Sequence, residues 1–177
     1  TLIYDGRIYG IPLMYDGLAL FYDPVRFEAA GITNPPETWE QFREAAIKLT
    51  EYEGDQKKIK RSGAAIGVGS NIEHASEILG LMMAQNGVNY PDDLDSSDAQ
   101  AALTYYTRYV SEDRVWDAAF PNSLQAFANG QVAMIFAPSW RVFDILNFNP
   151  MLNYKIAPVP QIPRFEERYG RIGWANF

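Results

Sequence analysis

Trp140 and Arg141 stand side by side just after an unbroken apolar run. An aromatic plate beside a cation is chemistry for holding a small polar molecule with a flat face. The run is Val132 to Phe136, within QVAMIFAPSWRVF (131–143). With no polar face, it predicts a strand buried on both sides, as in a sheet covered by helices. Phe127 and Gly130 predict the end of a helix that feeds this strand. Pro138 predicts the point where the ladder breaks, and Ser139 the cap of the next helix. Trp140 and Arg141 then occupy the first turn of a helix at the carboxyl end of a core strand, where open α/β sheets bind ligands. The plain alternative is that Trp140 packs beneath that helix.

Two more polar groups fall at strand ends. Tyr15-Asp16-Gly17 sets a phenol and a carboxylate at a strand junction, although Asp16 also suits an ordinary turn. Ser70-Asn71-Ile72-Glu73-His74 follows a short apolar stretch, and His74, the only histidine, opens a helix, as a plain first-turn residue or a ligand contact. Asp16 and Glu73 could be imagined as the carboxylate pair a glycosidase needs, but nothing in the sequence sets their separation. Other catalytic templates are empty. Gly67-x-Gly69 lacks the third glycine of a dinucleotide fingerprint, and no nucleophile elbow, phosphate loop or metal-binding helix occurs.

The elements that must position these residues can be read in order. Asp5-Gly6 predicts a tight hairpin between Leu2–Tyr4 and Ile8-Tyr9. Ile11-Pro12-Leu13 continues extended, with Pro12 at an edge or a crossing. Leu18 to Tyr22 predicts a buried strand, and Asp23-Pro24 a helix start that ends at Gly31. Thr38 with Gln41 forms a capping box, and Trp39, Phe42, Ala46 and Leu49 make one core-facing stripe. Residues 51–63 read as a mixed-charge solvated loop, and Ala64 to Gly69 as a short strand. Ile72, Leu79, Met82 and Met83 line a helix ending at Gly87. An acidic loop from Pro91 to Asp98 supplies Asp95 or Ser96 as a cap, and Ala102, Tyr105, Tyr106 and Tyr109 form a core stripe. Asn122 or Ser123 caps a short helix over Leu124 to Ala128. Tyr154 to Val159 predicts another strand, Arg164 to Arg171 a charged loop, and Ile172-Gly173-Trp174 the start of a last extended piece. Alternating strands and helices indicate a mixed α/β layer structure.

Composition narrows the function classes. The 177 residues suffice for one sizeable domain, and 47% hydrophobic content is that of a globular chain. A net charge of -7 argues against nucleic acid and anionic lipid as partners. Zero cysteines exclude disulfides, thiol catalysis and thiolate metal sites, and one histidine excludes a multi-histidine metal centre. Aromatics at 14% suit a core and also a surface that recognises sugar-like ligands. The chain opens without Met and stops in what reads as a new strand, which suggests a piece of a longer chain.

The order of elements resembles the extracellular solute-binding proteins, family 1, of sugar ABC transporters. The resemblance is carried by residues 5–24 (DGRIYGIPLMYDGLALFYDP), 29–50, 81–87, 126–140 (AFANGQVAMIFAPSW) and 154–163 (YKIAPVPQIP). It implies a periplasmic-binding-protein type II lobe, a mixed sheet flanked by helices. Residues 1–177 would be a single α/β lobe of the C-terminal type, with 1–16 and 173–177 near the strands crossing to a second lobe. Ligand is expected in the cleft, trapped by hinge closure. Trp140 falls on an aromatic that stacks on a sugar face in this family, and Asp16, with Tyr15, on the acidic position of the crossing strand. Glu73, His74 and Ser76, with Asn71, fall where the family places contacts at a helix start. Trp174 and Asn176 fall near the return crossing. The family commonly has Asn-Gly where this chain has Phe136-Ala137 before Pro138-Ser139, and Arg141 is unusual beside the Trp. A cation there would suit an acidic sugar or another charged solute.

The resemblance implies a substrate-binding component of an ABC transporter, not an enzyme, working without cofactor or metal and without nucleic acid. Its partners would be a small-molecule solute, a sugar for preference, and a membrane permease. Its place would be periplasmic or extracellular and membrane-associated, as a lipoprotein or otherwise, through a signal or anchor not in this chain. The alternatives are a carbohydrate-active hydrolase using Asp16 and Glu73, and a sensor or receptor lobe for a non-sugar ligand.

Overall fold

The computed structural model describes residues 3–11, 13–54, 58–89, 92–163 and 170–176, with the side chains of 175 and 176 left out of the description. The readings at Pro12 and Pro91 and of the charged loop over 164–169 lie outside the described residues.

The fold is built on β6 (Val132–Pro138), whose seven residues are all buried. Each large apolar side chain taken from water there contributes roughly 1.5–3 kcal/mol. β6 pairs on one side with β3 (Asp16–Tyr22), antiparallel, and on the other with β5 (Lys58–Ala64), parallel. β4 (Glu51–Glu53) and β7 (Lys155–Ala157) extend the sheet to the order β4-β5-β6-β3-β7, and β8 (Ala175–Asn176) pairs with the start of β3. Around it lie α1 (Pro24–Ala29), α2 (Trp39–Leu49), α3 (Ala75–Gln85), α4 (Ser97–Ser111), α5 (Ser123–Ala128) and α6 (Arg141–Phe148). This is a mixed sheet flanked by helices. β1 (Ile3–Tyr4) and β2 (Arg7–Ile8) form a separate hairpin, turned by Asp5 and Gly6 at φ 48° and 69°.

Local signals set most helix ends. The Asp23 carboxylate accepts from the amides of Val25 and Arg26, and Thr38 and Gln41 complete their capping box. Ser96 caps α4 and Asn122 caps α5, which settles both pairs of candidates.

Four expectations need correction. Among the described residues of 51–63, the loop reading fails: β4 and β5 pair antiparallel, with their charged side chains facing water. The strand expected over Ala64 to Gly69 ends at Ala64, because Gly67 turns the chain at φ 104°. Pro138 does not break the ladder; it is the last residue of β6, paired with Leu18, and a proline is tolerated at a strand end. The strand over Tyr154 to Val159 is limited to Lys155–Ala157.

Gln85 ties the layers together from within. Its fully buried carboxamide accepts from the Trp39 indole N–H at 2.6 Å and donates to the carbonyls of Pro160 at 3.0 Å and Ile172 at 2.9 Å. Gln85→Leu is expected to lower the unfolding free energy by about 2–4 kcal/mol, because the indole and the Pro160 carbonyl lose their partner. Urea denaturation reads this directly, and a loss below about 0.5 kcal/mol would contradict it.

Candidate functional site

The site lies where β6 changes from a parallel neighbour to an antiparallel one. β5 and β6 run parallel, so α3 and α6, which follow them, both begin at the same edge of the sheet. β3 runs the other way and starts there. Leu18 faces Pro138, and the same register carried two residues further sets Asp16 across from Trp140.

Asp16 uses that placement. Its Oδ2 accepts from the Ser139 hydroxyl at 2.8 Å and the Trp140 amide at 3.3 Å, and its Oδ1 from the Gly17 amide at 2.7 Å. Partial desolvation acts to raise its pKa. It is outweighed by the Ser139 hydroxyl and the amides of Gly17, Ser139 and Trp140, and the carboxyl lies below its ordinary value. Ser139 therefore does not cap α6 with its side chain, as the sequence suggested; Trp140 holds the N-cap position with no side-chain cap.

Trp140 is not packed beneath the helix, for 47% of it is exposed. The Arg141 guanidinium lies over its ring, 3.9 Å from the centroid. The His74 ring meets it edge-on at 6.4 Å and 82°. Arg141 is engaged on every side: Nη1 donates to Asp144 at 2.8 Å, Nη2 to Glu73, and Nε to His74 Nε2 at 3.4 Å. Arginine is always a donor, so His74 Nε2 accepts, and Nδ1 carries the proton toward Glu77. The network runs from Glu77 through His74 and Arg141 to Glu73 and Asp144.

Of the residues singled out by sequence, the fold thus gathers Asp16, Glu73, His74, Trp140 and Arg141. Tyr15 adjoins them and is 78% exposed. Asn176 pairs with Asp16 through its backbone. Asn71 is committed elsewhere: its side chain donates to the carbonyls of Asp117 and Phe120 and accepts from the Trp116 indole. Ser76 borders a pocket with Val68, Leu79 and Tyr106. Trp174 packs against α3 at Gly80, where a Cβ would come within 2.6 Å of its ring. Glu77, Asp144 and Ser139 were missed as site residues. The first two carry a readable signal, since His74–Glu77 and Arg141–Asp144 are i,i+3 pairs. Ser139 reaches Asp16 across 123 positions of sequence. Among the described residues no three metal-ligating side chains are grouped to hold an ion.

An aromatic plate and a fixed carboxylate thus meet at the switch point of an α/β sheet, the place where sheets of this kind bind ligands. Residues 1–173 match the family of bacterial extracellular solute-binding proteins, and the chain belongs to that family. A candidate binding protein of Brucella abortus is 24% identical over 165 residues, 91% of this chain and 40% of that protein. An ABC transporter solute-binding protein from Thermotoga lettingae, solved with alpha-D-tagatose bound, is 26% identical, with a TM-score of 0.70 over 91% of this chain and 43% of that one. The maltose/maltodextrin-binding domain from Bdellovibrio bacteriovorus, solved with maltotriose, shares the fold, with a TM-score of 0.72 over 98% of this chain and 45% of that one at 18% identity. The chain spans about two fifths of the length of the curated relatives it matches.

The Asp16 geometry yields a pH prediction. Its folded-state pKa lies below the unfolded one, so its contribution to stability is complete above the ordinary aspartate value of about 4 and is lost as pH falls through the folded value. Carbon-13 NMR of the Asp16 carboxyl is expected to titrate below about 4. Asp16→Asn should destabilise at pH 7, with the difference shrinking in acid. A midpoint above 4, or a difference that grows in acid, would contradict the assignment.

Proposed function

We propose that residues 1–177 form one α/β lobe, of the C-terminal type, in a two-lobe solute-binding protein, and that Trp140 and Asp16 line one wall of a cleft for a carbohydrate-like solute. The observation that carries this reading is the half-exposed Trp140 ring, held at the carboxyl end of β6 beside an ionised carboxylate. Pyranose rings have apolar C–H faces that pack on aromatic rings, and hydroxyls that donate to carboxylates. The sugars bound by the Thermotoga and Bdellovibrio proteins support the same class of ligand.

Two features support the lobe boundaries. β8 pairs with Asp16 and Gly17, so the chain at 16–17 and at 175–176 runs side by side next to the site, as two crossing strands would. Tyr4 and Ile8 of the hairpin and Tyr9, Ile11 and Leu13 after it are all exposed, an apolar surface that suits contact with a second lobe. The whole protein would hand its solute to an ABC permease, from a periplasmic or extracellular position at the membrane.

We infer a binder and not a hydrolase. A glycosidase needs one carboxyl held protonated as general acid, whereas Asp16 is held ionised and Glu73 is paired with Arg141. No turnover of chromogenic glycosides is expected, and measurable turnover would reverse that inference.

The direct test is a thermal-shift screen of the full-length protein against mono- and disaccharides, repeated with Trp140→Ala. Ligand at a hundredfold excess over Kd adds about 2.7 kcal/mol of stability, a shift of several degrees. A sugar-specific shift that disappears in the variant is the expected result. Absence of any shift across the sugars would overturn the reading. The isolated lobe, with half the contacts, should bind at least about tenfold more weakly than the full-length protein.

A further inference from the structure

We propose that Arg141 is a positioning residue, locking the Trp140 plate in place, and that the wall it belongs to accepts uncharged or cationic solutes and rejects anionic ones. This rests on the solute-binding reading above and adds a substrate class to it. A free arginine beside a tryptophan would be an anion receptor, since its planar fork matches a carboxylate or phosphate. Arg141 is not free. Its two amino groups bond the carboxylates of Glu73 and Asp144, and its Nε bonds His74. Its side chain is only 17% exposed.

The charges around it decide the selectivity. Asp16, Glu73, Glu77 and Asp144 place four carboxylates in or beside the network, against the single guanidinium of Arg141. The carboxylates outnumber the Arg141 guanidinium and the His74 ring together, so the wall is negative. An approaching anion meets a net negative wall, and its natural receptor is already occupied. Like-charge juxtaposition of this kind excludes wrong ligands. A sugar hydroxyl or an ammonium meets acceptors instead.

The same contacts fix the plate. The guanidinium covers one face of Trp140 and the His74 ring meets it in a T-shaped contact, and nearly half of the residue stays exposed for a solute. A ring held before binding loses less rotational freedom on binding, which strengthens the complex. The guanidinium does this through its planar shape as well as its charge, so lysine is not an equivalent.

The test is calorimetric titration of the full-length protein with neutral (maltotriose, mannobiose), acidic (digalacturonate) and cationic (glucosamine disaccharide) sugars. The unchanged protein is expected to bind neutral or cationic sugar and not the acidic one. Arg141→Gln and Arg141→Lys should both weaken neutral or cationic binding by about five- to thirtyfold, with the unfolding midpoint measured alongside to separate folding from binding. The double variant Glu73→Gln with Asp144→Asn releases the guanidinium and should gain at least about tenfold in affinity for digalacturonate, an effect that a merely structural Arg141 would not produce. A preference of the unchanged protein for digalacturonate, retained in Arg141→Lys and lost in Arg141→Gln, overturns this inference and leaves the solute-binding reading standing. No binding of any sugar removes that reading, and this inference with it.

Discussion

The antiparallel register of β3 against β6 is the constraint on which the site depends. It sets Leu18 opposite Pro138 and therefore brings Asp16 to Ser139 and Trp140. A slip of one residue would turn every β3 side chain to the other face of the sheet. That slip is prevented by burial, since Leu20 and Phe21 are fully enclosed and every residue of β6 is buried. Apolar packing in the middle of the sheet thus fixes a polar contact at its edge.

The same edge receives two helix beginnings, and both lack a side-chain cap. The amino end of a helix carries partial positive charge and favours nearby anions. Glu77 and Asp144 stand in the first turns of α3 and α6, and the Asp16 carboxylate takes the Trp140 amide. Negative charge is therefore stabilised at the edge by backbone as well as by Arg141. This accounts for a cluster of carboxylates that would otherwise repel one another.

The sequence was most legible where structure is local. The Asp23 and Thr38 caps, the Asp5-Gly6 turn and the apolar stripe of α2 each depend on residues within four positions. The β4–β5 hairpin was missed because Lys58, Lys60 and Arg61 give no apolar alternation, and the strand is held by pairing at both sides. At the site, Trp140 and Asp16 were legible as chemistry and their meeting was not, because it requires the long-range register. Trp174 illustrates the same limit. Nothing near it in sequence indicates that Gly80, mid-helix, leaves room for its ring.

Arg141 marks the difference between what a residue type offers and what its partners allow. Read beside Trp140 alone, it is a cation available to an anion. The partners that neutralise it are Asp144, one helical turn on, and Glu73, which arrives from another layer. Placement next to the chain passages at 16–17 and 175–176 adds a mechanical consequence. Asp16 is pinned to Ser139 and Trp140 at the start of β3. Were the segment before Asp16 to bend, those bonds to the Ser139 hydroxyl and the Trp140 amide would stay in place. On the two-lobe reading proposed above, closure would then be confined to the linkers, and the Trp140 wall would move as a rigid part of its lobe.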